Sequence, residues 1–230
     1  FRSKMVRPFD EDKDIAFADT LYYGFRESDP MKVRYQGLIG GDDPLANYLG
    51  LYSRWSYFQD DWTGFPYFSD KKEGYLKVSF SDKDLVPAMG ANSFFVRKSI
   101  LKKFVKDRFI HSDLVYQMVN NGHNCLAKVD AYVIHDQPTF FKNKIRRIKR
   151  RINQEVEIEY NYGVTKKKII WPIIRSILVL PVIYDIIKGF IRKPDSAWVF
   201  HIPAVYGLIF IHIYYNLFSF LKGKNPELID

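Results

Sequence analysis

The residues best suited to chemistry lie between positions 90 and 151 of the 230-residue chain. A turn formed by Gly90, Ala91 and Asn92 precedes a short apolar segment, and His111 and Asp113 follow it. Asp113 opens a predicted helix, whose N-terminus stabilises a carboxylate in its charged form. Imidazole titrates near neutral pH, so His111 is a second proton acceptor. Each also has a structural alternative, Asp113 as a helix cap and His111 as a structural histidine.

A basic segment runs from Lys142 to Arg151. The positive charge is local, because residues 1–141 carry 19 basic and 19 acidic residues whereas residues 142–168 carry ten basic and three acidic ones. Such a patch indicates a phosphate group, an anionic membrane surface or nucleic acid as its partner. No nucleic-acid-binding motif accompanies it, which makes nucleic acid the weakest of the three.

Strand and helix signals alternate in the first two thirds of the chain, which predicts an α/β layer fold. Strands are expected at residues 14–25, 74–80, 94–96 and 126–134, and helices at 98–105 and 113–119. Gly122 follows the second helix and suits the left-handed position that ends many helices.

A further helix is predicted to begin after Asp43, which is a natural N-cap, with Pro44 as its first residue. Apolar spacing extends this helix to Trp55. The aromatic and turn-rich residues 56–75 predict a long surface loop.

The last part of the chain is strongly apolar. Residues 196–221 contain no charged side chain and are long enough to span a bilayer. Residues 169–190 contain Arg175 and Asp185, which predicts a helix lying in the membrane interface. Basic residues at 166–168 favour the cytoplasmic side. The alternative is a buried helical hairpin of a soluble protein.

Taken in order, these features resemble inverting family-2 glycosyltransferases of the GT-A type, over roughly residues 14–152. The resemblance implies an α/β, Rossmann-like GT-A domain whose C-terminal, acceptor half is present, followed by membrane-associated helices. It divides the chain into a partial transferase domain (1–141), a basic juxtamembrane segment (142–168) and interfacial and transmembrane helices (169–222). The remainder of the transferase domain is expected upstream of Phe1.

The resemblance also implies an activity. The expected reaction is hexosyl transfer from a nucleotide diphosphate sugar to a lipid-linked or polysaccharide acceptor of the cell envelope, with inversion. In the family the base is a carboxylate of a Glu-Asp pair, with Gly eleven residues after the Asp. In this chain the eleventh residue before Gly122 is His111, and Asp113 follows two residues later. The general base is therefore expected to be His111 or Asp113.

Binding roles follow from the same resemblance. Gly90, Ala91 and Asn92 would contact the sugar, since glycine lets the backbone approach a ligand closely. Arg146 and Arg147 would bind the donor diphosphate, because a planar guanidinium pairs with two phosphate oxygens. The other basic residues of the segment would face anionic lipid headgroups. The alternative for the segment is a solvated charged helix.

A divalent cation, Mg²⁺ or Mn²⁺, is the cofactor that the resemblance implies. Its main ligands would form an Asp-x-Asp motif upstream of Phe1, and His135 would help to bind the metal or the donor phosphates. Asp42 and Asp43 are better interpreted as a helix start than as a ligand pair. The single cysteine, Cys125, excludes a disulfide within the chain and fits a reducing, cytoplasmic compartment.

Two other functions remain open from the sequence. One is a non-catalytic, membrane-associated scaffold that binds an anionic partner through residues 142–151, favoured by the departure from the Glu-Asp pattern. The other is a nucleic-acid-binding protein, which would bind through the same residues with strong salt dependence.

Overall fold

A computed structural model describes residues 1–81, 85–104, 111–135, 140–152 and 166–221. Within these ranges the chain has an α/β architecture with one mixed five-stranded sheet. The strands are β1 (Phe17–Gly24), β2 (Ser69–Lys72), β3 (Tyr75–Ser79), β4 (Phe95–Val96) and β5 (Cys125–Ile134). The predicted α/β class is confirmed, and each predicted strand corresponds to one of these elements.

The helices of the described residues fall before, between and after the strands. They are α1 (Arg2–Glu11), α2 (Met31–Ile39), α3 (Pro44–Tyr48), α4 (Lys98–Phe104), α5 (His111–Asn120), α6 (Phe140–Ile152), α7 (Lys166–Ile177), α8 (Val179–Arg192) and α9 (His201–Leu221). A short 3-10 turn, Ser196–Phe200, precedes α9. Gly122 follows α5 with φ 87°, as predicted.

Two parallel strands, β1 and β5, form the centre of the sheet, whose order is β2-β3-β5-β1-β4. Their pairing extends from Phe17 opposite Leu126 to Gly24 opposite Ile134. Both strands are mostly apolar and buried, as expected where both faces of a sheet are covered. Because the strands are parallel, their carboxyl ends meet at one edge of the sheet.

Helices cover both faces of this sheet. On one face, Val115 and Met118 of α5 belong to the same apolar cluster as Phe17 and Leu126. On the other face, Met5 of α1 packs in a cluster with small and branched residues of β1 and β5. The sheet is therefore the middle layer, and α5 is held rigidly by the face that it covers.

A third apolar cluster joins the sheet domain to the C-terminal helices. It contains Tyr35 of α2, Phe58, Phe140 of α6, Trp198 of the 3-10 turn and Leu208 of α9. The indole of Trp198 lies directly against Gly189 of α8, where a larger residue would collide. The first turns of α9 are thus packed in protein.

Two local predictions were wrong. The helix that begins after Asp43 ends at Tyr48 instead of Trp55, because the chain turns back through Gly50, whose φ is 76°. The segment 56–75 is not a simple surface loop, since Phe58, Trp62 and Phe65 are buried. Apolar spacing alone did not distinguish a helix face from a compact, irregular segment that fills the core.

One helical segment of the described residues, Ser196–Phe218, is long and apolar enough to cross a membrane. The preceding pair, Ile170–Ile177 and Val179–Arg192, passes the same test only when taken together, and it is bent by 86°. The bend at Leu178 separates α7 from α8 where the sequence had indicated one interfacial segment.

Candidate functional site

The turn at Gly90 is packed directly against the first residue of α5. Gly90 has φ 95°, and a Cβ atom placed there would lie 2.8 Å from the backbone oxygen of His111. Only glycine combines this backbone conformation with such a close approach. Asn92 and Ser93 continue the turn with φ 50° and 61°, which are rare for residues other than glycine. The structure thus brings Gly90, Ala91 and Asn92 together with His111.

The two candidate bases lie in the first turn of α5. The described part of this helix starts at His111, and Asp113 lies in its first turn. Asp113 is only 8% exposed, whereas His111 is exposed. Restricted hydration of the ring, together with the charge of Arg147, lowers the pKa of His111, and Asp113 opposes this effect. This lowering favours the neutral imidazole, the form that accepts a proton.

Helix α6 is attached to the loop before α3 through two ion pairs. Arg147 Nη2 lies 2.7 Å from Asp42 Oδ2, and Lys144 pairs with Asp43. Asp43 also caps α3, accepting a hydrogen bond of 2.9 Å from the backbone N–H of Leu45, as its predicted N-cap role requires. Burial of Asp42 opposes ionisation, but the charges of Lys144 and Arg147 outweigh it and lower the pKa of this carboxyl.

The two predicted phosphate-binding arginines differ in their surroundings. Arg147 bridges the site, since it pairs with Asp42 and also acts electrostatically on His111. Arg146 is exposed, and no ion pair to it is found among the residues that the structure describes. Of the two, Arg147 is the one whose charge acts on the candidate base.

His135, the predicted metal or phosphate ligand, emerges at the end of β5 and stacks on Tyr23 with ring centroids 5.2 Å apart. The Tyr23 hydroxyl accepts a hydrogen bond of 3.2 Å from Asn92 Nδ2, which joins His135 to the Gly90 turn. Hydrogen bonding and ring stacking thus connect His135 with Asn92, while His111 is joined to the same turn through its packing on Gly90. Arg147 and Asp113 act on His111 electrostatically.

A metal ion does not fit these residues by themselves. Among the described positions no group of three His, Cys, Asp or Glu side chains is arranged to hold one. The carboxylate of Asp42 is paired with Arg147. No chemical step is therefore assigned here to a bound cation.

Beneath the Gly90 turn lies a buried ionic cluster that the sequence analysis missed. Asp19 of β1 accepts from Arg54 Nη2 at 2.9 Å and pairs with Lys128 Nζ of β5 at 3.1 Å. Arg54 Nη2 also donates to the backbone oxygens of Ala91 and Asn92, each at 2.8 Å. Arg54 is 5% exposed, and Asp19 and Lys128 are fully buried.

Arg54 therefore connects the sheet to the turn that carries Asn92. Its Nη1 donates to the Tyr23 hydroxyl at 3.1 Å, and its guanidinium carbon lies 4.2 Å from the centre of that ring. A sequence signal for this cluster exists, because Asp19 and Lys128 interrupt two apolar strands where a charge must find a partner. Arg54 itself stands in an irregular segment and carries no such signal.

Comparison with protein-family models, curated proteins and solved structures finds no match to this chain. The candidate site contains an imidazole, a carboxylate and a guanidinium. It also contains a polar turn with positive φ angles, whose backbone oxygens accept hydrogen bonds from the buried Arg54. Such a surface can remove a proton from a hydroxyl group and bind an anionic group beside it.

Proposed function

We propose that this protein is a membrane-associated, inverting glycosyltransferase of the GT-A type. It would transfer a sugar from a nucleotide diphosphate sugar to a lipid-linked or polysaccharide acceptor, with its catalytic part on the cytoplasmic side. The observation that supports the proposal is the direct packing of Gly90 on His111, together with the electrostatic effect of Arg147 on the same imidazole. In the proposal, three elements far apart in sequence would supply a polar turn, a base and a phosphate-binding cation.

The proposed chemistry is a single displacement. The neutral imidazole of His111 accepts the proton of the acceptor hydroxyl as its oxygen attacks the anomeric carbon, and the bond from that carbon to the diphosphate breaks. Asp113 stabilises the imidazolium that forms, since its charge already favours protonation of the ring. Arg147 compensates the charge of the departing diphosphate. In a second arrangement Asp113 itself is the base.

The non-catalytic scaffold remains the alternative proposal, because His111 occupies the position at which the family carries an acid. The ion pairs of α6 bear on both proposals, because an anionic partner or a donor diphosphate would meet Arg147 while it is paired with Asp42. Lys144 and Arg147 are engaged with Asp43 and Asp42, so part of the basic charge is already compensated within the protein.

Binding of donor nucleotides separates these proposals. We expect Arg147→Gln to weaken binding of a nucleotide diphosphate sugar at least about tenfold, the effect of losing one charge-assisted contact. Arg146→Gln is the matched control, because it removes the same charge one residue away and should change binding less than about twofold. Equilibrium dialysis with a panel of uridine, guanosine and thymidine diphosphate sugars measures both. Equal losses from the two variants would favour a diffuse anion-binding scaffold.

The base is assigned by turnover. If His111 is the base, His111→Ala lowers the transfer rate about a hundredfold or more and Asp113→Asn lowers it less. The reverse order assigns the role to Asp113. If neither substitution lowers turnover, the assignment of the base is wrong.

A further inference from the structure

One side of α8 is apolar and exposed along its entire length. The exposed residues follow helical spacing and are Val179, Leu180, Ile183, Tyr184, Ile187, Phe190 and Ile191. The opposite side, with Val182, Asp185 and Gly189, is buried against the protein. An uninterrupted apolar stripe of this kind marks an interaction surface, since soluble surfaces rarely carry one.

The same surface continues on α7 and α9. On α7 the exposed apolar residues are Ile170, Trp171, Ile173, Ile174 and Ile177, and on α9 they are Ile202, Phe210, Ile213, Tyr214, Leu217, Phe218, Phe220 and Leu221. We call the exposed apolar residues of α7, α8 and α9 the apolar face. On α9 this face is one-sided in the first turns, because Ala204, Val205 and Leu208 are buried.

The basic helix α6 lies along α9. The Phe141 ring contacts the backbone at Gly207, and Lys149 Nζ lies 5.7 Å from the centre of the Tyr215 ring. The second contact lies eight residues after the first on both helices. The two helices therefore run side by side in the same direction for about 12 Å. In this stretch α6 exposes Lys142, Arg146, Arg147 and Lys149.

This arrangement fixes the depth that α9 can reach. Arg147 is paired with Asp42, but a helix that also exposes Lys142, Arg146 and Lys149 is strongly disfavoured in the hydrocarbon of a bilayer, so α6 must remain at the headgroups or in water. Tyr215 lies beside Lys149 and is therefore held at the same level. Beyond Tyr215 the sequence has only six uncharged residues before Lys222 and Lys224, about 9 Å of helix, which is far short of the ~30 Å hydrocarbon core.

We propose that the protein is monotopic: the apolar face inserts into one leaflet of an anionic membrane, and α9 lies in the interface without crossing the bilayer. The exposed cations of α6 supply the complementary charge for anionic headgroups. This inference replaces the predicted span with an interfacial helix. It rests on packing and is independent of the proposed sugar transfer.

The position of α9 can be measured with a fluorophore. Single cysteines at Val199, Phe210 and Leu221, in a Cys125→Ser background, are labelled with the nitrobenzoxadiazole (NBD) dye, and the full chain is added to sealed vesicles of phosphatidylcholine and phosphatidylglycerol. We expect external dithionite, which does not cross the bilayer, to bleach all three labels. A label at Leu221 that stays protected until detergent is added would show a crossing helix and overturn the proposal.

A matched pair of substitutions tests whether a membrane covers the apolar face. Leu180 on the apolar face is 80% exposed, and Phe68, outside it, is 85% exposed. We expect Leu180→Glu to weaken partitioning onto the anionic vesicles at least about tenfold, and Phe68→Glu to change it less than about twofold. Equal partitioning of both variants and wild type, or a lipid-free dimer that Leu180→Glu dissociates while vesicles stay unbound, would contradict a membrane as the occupant.

Discussion

Replacement of Arg54 by Met should release the Gly90 turn as well as destabilise the fold. The side chain is buried, and a single terminal nitrogen serves Asp19 and the backbone oxygens of Ala91 and Asn92. Methionine fills a similar volume but donates no hydrogen bond. The substitution therefore removes the Arg54 donor from the carbonyl groups of Ala91 and Asn92, of which Asn92 keeps the Ser93 hydroxyl, and it removes one of the two cations beside a buried carboxylate.

The expected cost is about 3–5 kcal/mol, the range measured when one partner of a buried ion pair is removed. This is a large part of the 5–15 kcal/mol that stabilises a typical domain. A second, local effect is superimposed. Asn92 and Ser93 are held at positive φ, at an energy of about 1–3 kcal/mol each, and the bonds from Arg54 help to offset this strain.

Lys128→Met is the matched control, because Lys128 pairs with the same carboxylate and donates to the backbone oxygen of Ser53 instead of to the turn. Urea unfolding in detergent micelles reports the global cost, and hydrogen exchange of residues 91–94 reports the local effect. We expect faster exchange in the turn of Arg54→Met and unchanged exchange in Lys128→Met. Equal exchange in both variants, or a cost for Arg54→Met below about 1 kcal/mol, would refute the reasoning.

Three further predictions concern the same surface. Gly90→Ala should cost about 1–3 kcal/mol more in urea unfolding than Gly74→Ala, because both glycines have positive φ but only Gly90 approaches another backbone; equal costs would contradict this. Arg147→Gln should raise the pKa of His111 in an NMR titration and move the acidic limb of a rate profile to higher pH, and an unchanged pKa would count against their proximity. Burial lowers the pKa of Lys128 to about 8, so between pH 8 and 10.5 the unfolded chain binds more protons than the folded one. Wild type should then gain stability with rising pH, by on the order of 3 kcal/mol relative to Lys128→Met, and a flat difference would contradict the shift.

The sequence predicted the elements better than the site. Asp43 caps α3 and Gly122 ends α5 as expected, because both signals depend on local hydrogen bonding and backbone conformation. The extension of α3 to Trp55 was wrong, since apolar spacing is also produced by an irregular segment that fills a core. Arg54 belongs to that segment and lies beneath the turn. A contact between residues so far apart in sequence produces no periodic pattern of apolar residues.

The sequence predicted which residues form the candidate site. The contacts between them are known only from the structure. Counting from Gly122 indicated His111, but the contact between Gly90 and His111 depends on the packing of α5 on the sheet. The two arginines of α6 could not be ranked from the sequence, because adjacent residues on a helix differ only in the direction that they face. The ion pair with Asp42 distinguishes Arg147.

Sugar transfer by the purified full-length protein, rather than by the 230 residues alone, on anionic vesicles tests the central proposal most directly. The assay supplies radiolabelled uridine, guanosine and thymidine diphosphate sugars together with a total lipid extract as acceptor, and it counts label in the lipid and polymer fractions. We predict transfer from at least one donor, retained in Arg146→Gln and lost about a hundredfold or more when His111→Ala and Asp113→Asn are combined. No transfer from any donor by wild type, or an undiminished rate in the double variant, would contradict a glycosyltransferase acting through this surface.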